Sequence, residues 1–187
     1  MKKLTELEII ESVKKGNHGD FALLIDIYKD RAFTLLKKML KNEMDAEEAL
    51  QDSFLKVFNS LSDFRAESKF STWFYRVVYN TALTIISSKK RKIIMEMSSV
   101  DDHYDLGDDD KIYSETENYH EYIFKLVDKL PVRNALVIIL FYIDGLSLNE
   151  ISKVLGISLV NTKVLLHRSR NALRDLVFKH NYQEVLL

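Results

Sequence analysis

The 187-residue chain contains no cysteine. That excludes a disulfide framework and any thiolate metal site, and it suits a reducing cytoplasm. One proline and five glycines leave few places where a helix is forced to break. No apolar run is longer than Ala135 to Ile143, far short of the roughly 20 residues a membrane-crossing helix needs. The opening stretch MKKLTELEIIESVKK is interrupted by Glu6, Glu8 and Glu11, so it lacks the apolar core of a signal peptide. The expectation is a soluble cytoplasmic protein with no membrane insertion. The five histidines are scattered without metal-ligand spacing, and no nucleophile–base pair or glycine-rich phosphate loop is evident. No catalytic residue, metal site or cofactor is expected, and the chain is not read as an enzyme.

What is present is apolar material in helical register. A hydrophobic content of 47% is that of a globular chain with ample material for a core. The net charge of −1 hides a pattern. Residues 1–94 carry 17 basic and 13 acidic side chains, residues 95–119 carry one and nine, and residues 120–187 carry nine and six. Two mildly basic blocks are joined by a strongly acidic segment, so the net acidic excess sits in a connector and not on the binding faces.

The first block reads as helices throughout. Thr5 with Glu8 forms a capping box, with Leu7, Ile10 and Val13 as a short apolar face ending before Gly16. Asp20 is placed to cap a helix over 21–41, whose stripe is Phe21, Leu24, Ile25, Tyr28, Ala32, Leu35, Leu36 and Met39. Asp45 with Glu48 opens another, with Ala49, Phe54, Val57 and Leu61 at helical spacing. After the break LSDFRAESKF, a helix starts at Ser71 and runs into Lys89-Lys90-Arg91-Lys92. Residues 95–118 lose the apolar period, and such a segment cannot bury enough surface to offset its ordering entropy. A solvated, flexible linker is expected there; an acidic strand mimicking nucleic acid fits the same composition. The second block has a helix near 119–129, a proline-opened turn at Leu130-Pro131, and an apolar helix from Asn134 to Ile143 closed by Gly145. The fold class is all-α: two small helical domains, 1–94 and 119–187, joined by the acidic linker 95–118.

Residues 145–170, GLSLNEISKVLGISLVNTKVLLHRSR, have the form of a helix-turn-helix. Ser147 and Glu150 make a capping box, Gly156 suits the left-handed residue that ends the helix, and Ser158 caps the next. Leu159, Thr162, Leu166, Ser169 and Leu173 follow the three–four spacing of a core-facing stripe. Asn161, Lys163, Val164, Leu165, His167 and Arg168 then turn outward, toward a major groove if DNA is the partner. An ordinary helical hairpin with a solvated basic face has the same pattern.

The stretch FRAESKFSTWFYRVVYNTALTIISSKKRK interleaves Phe64, Phe70, Trp73, Phe74, Tyr75 and Tyr79 with Arg65, Lys69 and Arg76. Rings among cations suit an unstacked strand, whose bases stack while lysine and arginine follow the phosphates. The same rings also suit a core, since Trp73, Val77, Asn80 and Thr84 share one helical stripe and Phe74, Val78 and Ile85 another.

Three stretches in order resemble the extracytoplasmic-function (ECF) group of the bacterial sigma-70 family. DAEEALQDSFLKVF (45–58) resembles the part that docks on the clamp helices of RNA polymerase. FRAESKFSTWFYRVVYNTALTII (64–86) resembles the part that recognises and melts the minus-ten promoter element. LPVRNALVIILFYIDGLSLNEISKVLGISLVNTKVLLHRSRNAL (130–173) resembles the domain that reads the minus-thirty-five element. The resemblance implies an alternative sigma factor whose partners are core RNA polymerase (clamp helices and flap), promoter DNA and, in some cases, an anti-sigma factor or a recruiting protein. By the same resemblance, Asp45, Glu48, Gln51, Asp52 and Phe54 match polymerase-docking positions. Arg65, Lys69, Phe70, Trp73, Arg76 and Asn80 match the minus-ten, single-strand positions, with the loop 61–70 as the wall of a pocket for an extruded base. Ser158, Asn161, Lys163, Val164, Leu165, His167 and Arg168 fall on the minus-thirty-five recognition helix.

The recognition helix departs from the family pattern. Val160 stands where Ser or Gly is common, and Val164-Leu165 stand where Ser-Arg is common. The missing arginine removes a contact worth roughly 1–3 kcal/mol of discrimination if it read a base. The apolar face then reads thymine methyls and DNA shape, or it binds a protein. Two other functions fit the composition: a two-domain helix-turn-helix regulator acting on duplex without polymerase docking, and a helical adaptor binding protein or RNA.

Overall fold

The structure is a computed structural model that describes residues 4–97 and 119–179, with side chains described at 4–90 and 123–179. The expected linker lies almost wholly outside the described residues. Every regular element described is helical, as the three–four spacing of the apolar residues predicts.

The first unit has four helices: α1 (Glu6–Lys14), α2 (Phe21–Leu40), α3 (Glu43–Ser60) and α4 (Phe70–Met97). The capping box at Thr5 forms in full: its N–H donates to Glu8 Oε2 at 2.7 Å, and its hydroxyl accepts from the Glu8 N–H at 3.3 Å. In the apolar stripe of α1, Ile10 and Val13 are buried as expected, but Ile9 takes the place of Leu7, which is left exposed. Asp20 does not cap α2; its carboxylate accepts from the Ser12 hydroxyl at 2.5 Å and ties the end of α1 to the start of α2. The eight-residue stripe of α2 is buried as its spacing requires, apart from the half-buried Ile25. That helix stops at Lys41, which takes the left-handed conformation at φ 56° without being a glycine. The next helix begins a few residues ahead of the expected Asp45, because Asn42 Oδ1 accepts from the Asp45 N–H at 3.0 Å. A long helix, α4, follows the break, and it continues to Met97, past the expected domain boundary at 94.

The second unit has α5 (Tyr119–Asp128), α6 (Val132–Ile138), α7 (Leu148–Leu155) and α8 (Leu159–Lys179). Pro131 precedes α6 and accepts from Asn134 and Ala135, so its missing N–H costs nothing there. The apolar helix expected over 134–143 is not regular. After α6 the chain widens into one π-helical turn, Ile139–Ile143, and the Asp144 N–H donates to the Ile139 carbonyl at 3.1 Å. Single π-turns of this kind are rare and often lie at functional sites.

The two units are packed together. Helix α7 lies against α4 and α6 against α2, and one apolar cluster runs from Leu35, Phe74 and Val78 through Leu136, Leu140 and Ile151 to Leu166.

Candidate nucleic-acid interface

Helix α4 sorts its residues by face. Phe74, Val78 and Ala82 point into the first unit and are fully buried. Phe74 sits between Tyr28, Phe54 and Tyr75, with ring centroids 4.7, 5.3 and 5.4 Å away. The opposite face leaves Arg76 and Asn80 open to solvent. Trp73 is half-buried, its ring 5.2 Å from Phe64 and 5.6 Å from Phe70. Phe70 itself is 2% exposed and has no ring face to offer a base. Its aromatic neighbours made it resemble a stacking platform, but its position at the first turn of α4 directs it inward.

Ahead of α4, the loop folds around a small open pocket lined by Asp63, Phe64, Arg65, Glu67, Ser68 and Trp73, with a volume of about 200 Å³. Ala66 at the loop tip adopts φ 56°, a left-handed conformation that a non-glycine residue rarely takes. Arg65 is exposed beside this pocket. Lys14 reaches in from α1, donating to the Phe64 carbonyl at 2.6 Å with its Nζ 5.8 Å from the Phe64 ring centre. Lys14 brings a second cation to the loop from a position that local spacing gave no reason to connect with it. Lys69 is exposed but already paired: its Nζ is 3.0 Å from Glu150 in the second unit.

Of the expected docking residues on α3, Glu48, Gln51 and Asp52 are exposed on one face. Asp45 is half-buried and bound to Lys89 of α4. Phe54 is not on that face; it is buried against Phe21 and Phe74 at 6.3 and 5.3 Å, so it belongs to the core. Leu55, 59% exposed, follows Gln51 and Asp52 by one helical turn and gives the acidic face an apolar centre. Its spacing from Glu48 was the signal that could have found it.

The helix-turn-helix forms as its local chemistry requires. The Ser147 N–H donates to Glu150 Oε2 at 2.7 Å and the Glu150 N–H to Ser147 Oγ at 3.3 Å. Gly156 takes φ 65° at the turn. Ser158 is exposed, with its hydroxyl accepting the Asn161 N–H at 3.2 Å, so it serves as a cap. Thr162, Leu166 and Ser169 are buried. Asn161, Lys163, Val164, His167 and Arg168 are exposed along one side. Leu165 is corrected: it is half-buried against the core, while Leu159, expected inward, is exposed. The apolar part of the outward face is therefore Leu159, Val160 and Val164.

Between the units, the turn after the π-helix delivers Asp144 to α4. The Tyr75 hydroxyl donates to Asp144 Oδ1 at 2.5 Å, and Arg31 of α2 lies 3.8 Å from the same oxygen. The Asp144 side chain is 1% exposed, and its Oδ2 has no hydrogen-bond partner. Burial pushes its carboxyl up to about 6, against the downward pull of the Tyr75 bond and the Arg31 charge. Burial likewise pushes the Tyr75 hydroxyl far above its ordinary value. Among the described residues no group of carboxylates and histidines is placed to hold a metal ion, and no helix is long and apolar enough to cross a membrane.

Two helical units, one with a ring-lined loop ahead of a partly basic helix and the other with a helix-turn-helix, define the sigma-70 architecture. The sigma-70 region 2 model matches residues 24–92 and the sigma-70 region 4 model residues 120–173. Within that family, the chain is 35% identical to the ECF RNA polymerase sigma factor SigW of Bacillus subtilis, over 88% of this chain and 92% of the relative. It is 26% identical to the ECF RNA polymerase sigma-E factor of Escherichia coli K12, over 94% and 95% of the two chains. The solved structure of the sigma factor RpoE with the anti-sigma factor NepR from Bartonella quintana shares the fold, with a TM-score of 0.66 at 16% identity over 84% of this chain and 96% of that one. The chain belongs to the ECF group of the sigma-70 family and is an alternative sigma factor.

Proposed function

We propose that this sigma factor opens promoters by holding one extruded base in the loop pocket at 63–73 while Arg76 and Asn80 follow the unpaired strand along α4. The observation that carries this is the pairing of an open, ring-lined pocket with two exposed polar side chains one helical turn apart on the helix that borders it. Extruding a base costs a few kcal/mol. Trp73 and Phe64 supply apolar walls that offset this cost, and Arg65 and Lys14 supply positive charge for the phosphates. Lys69 joins them once it leaves Glu150. Phe70 holds the tryptophan in place from beneath.

The face Glu48, Gln51, Asp52 and Leu55 is the docking surface for core polymerase. A leucine ringed by polar side chains has the form of an interface centre, desolvated in the middle and charged at the rim. Lys163 and Arg168 contact minus-thirty-five phosphates, and Val160 and Val164 lie against thymine methyls. The protein performs no chemistry on its partners and acts in the cytoplasm, where it meets polymerase.

The test is Asn80→Ala in reconstituted holoenzyme. Asn80 is exposed, so its loss leaves the core intact. Polymerase binding and melting temperature stay at wild-type values, while strand opening, followed with a fluorescent base analogue, is slowed. A folded, polymerase-bound variant that opens promoters at the wild-type rate would refute the role given to Asn80.

A further inference from the structure

Polar links cross between the units at Asp128, Glu150 and Asp144 among the described residues. Lys38 donates to the Asp128 carbonyl and lies 3.7 Å from its carboxylate. Lys69 meets Glu150, and Tyr75 and Arg31 both meet Asp144. In the first two pairs one partner is largely exposed, and exposed ion pairs contribute little. The third is different in kind, because the Asp144 side chain is 1% exposed between α2, α4 and the π-turn, with one oxygen unpartnered.

We infer that Asp144 is a proton-sensitive latch between the two helical units: neutral, it closes the second unit onto α4; ionised, it lets the units separate. An ionised carboxylate needs partners for both oxygens, and here only Oδ1 has them. Leaving half of a buried charge unserved is costly. A proton on Oδ2 removes that charge while Oδ1 goes on accepting from Tyr75.

The groups that face Asp144 across the cleft of about 390 Å³ are Tyr28 and Arg31 from α2, Tyr75 from α4, Lys69 ahead of it, Glu150 from α7 and, through its bond to Tyr28, Glu6 from α1. Burial drives both tyrosines far above neutrality. Burial also raises Glu150, but the bonds from Ser147 and Lys69 outweigh it and hold that carboxyl below its ordinary value. Asp144, at about 6, is left close to neutrality.

The sign follows from comparing the two states. Asp144 is raised in the closed state and returns to an ordinary carboxylate near 3.8 when exposed, so closure binds the proton. The closing contribution is complete below the exposed value and is lost as pH rises through about 6. Closed, the molecule keeps Tyr75 under the second unit and Lys69 paired to Glu150. The latch stands independently of the strand-binding assignment, since neither DNA nor polymerase takes part in it.

The test uses the full chain alone. Trp73 is its only tryptophan and there is no native cysteine, so a single dansyl group on Lys153→Cys, an exposed position of α7, reports approach of the units by energy transfer. Unlabelled protein is the donor-only reference at each pH. Transfer falls as pH is raised from about 4 to about 7 and is level above that. Asp144→Asn, neutral throughout, holds transfer at the low-pH level across the range. Tyr75→Phe, a second variant that removes both a bond across the units and the pull that lowers the carboxyl, makes the ionised closed state costlier and shifts the midpoint downward. Flat transfer in the wild-type chain, an Asp144→Asn profile that tracks it, or a Tyr75→Phe midpoint that does not move would each overturn the latch.

Discussion

Phe70→Ala separates a stacking platform from a structural ring. The phenylalanine is 2% exposed and touches four other aromatics, with centroids 5.5 Å from Tyr28, 5.6 Å from Phe64, 5.6 Å from Trp73 and 6.1 Å from Phe74. These neighbours come from α2, the loop and α4, three segments that cannot close together over the gap without moving the helices. The substitution therefore sits at the full-cost end of large-to-small changes, about 3–5 kcal/mol. In a chain of this length each kcal/mol lowers the melting temperature by about 2–4 °C, giving a fall of roughly 6–20 °C. Scanning calorimetry at constant pH measures it, with urea unfolding as a check. Phe70→Leu keeps most of the volume, and its cost stays under about 1.5 kcal/mol if the neighbours repack. A Phe70→Ala chain that melts within about 2 °C of wild type yet loses promoter opening would restore the ring to the strand-binding set and refute the burial argument.

Lys163→Ala removes a cation from the exposed face of α8; in holoenzyme it weakens promoter association on every sequence and reduces the salt slope of binding by about 1. An unchanged salt slope would take Lys163 off the phosphate backbone. Ser147→Ala removes the oxygen that accepts the Glu150 N–H. It lowers stability by about 1 kcal/mol in thermal melting, and no measurable loss would mean that the cap is redundant with the packing of Ile151 and Leu155.

What was legible in the sequence was whatever is decided within a turn or two of chain. The Thr5 and Ser147 capping boxes, the Gly156 turn, the stripe of α2 and the buried Thr162, Leu166 and Ser169 each follow from spacing and local hydrogen bonding, and each stands in the structure. The misplaced residues have different causes. Phe54 and Phe70 follow their apolar spacing into the core and not the surface roles that the resemblance gave them, while Leu165 lies where a rotation of a few tens of degrees decides between core and surface. Asp20 was read as a cap because of its place before a helix, but Ser12 in the preceding helix captures it. The π-turn leaves no mark on apolar periodicity, since Ile139–Ile143 is apolar on every side. Its effect appears only at Asp144, where a residue typical of a helix-ending turn becomes a buried carboxylate facing Tyr75, 69 positions away in sequence. Asp144 thus combines two facts of different range: a local Asp-Gly turn that the sequence displays, and a burial imposed by packing between units that no local pattern encodes. A residue of that kind reports on the arrangement of the two units and not on the fold of either, which is why its titration follows their closure.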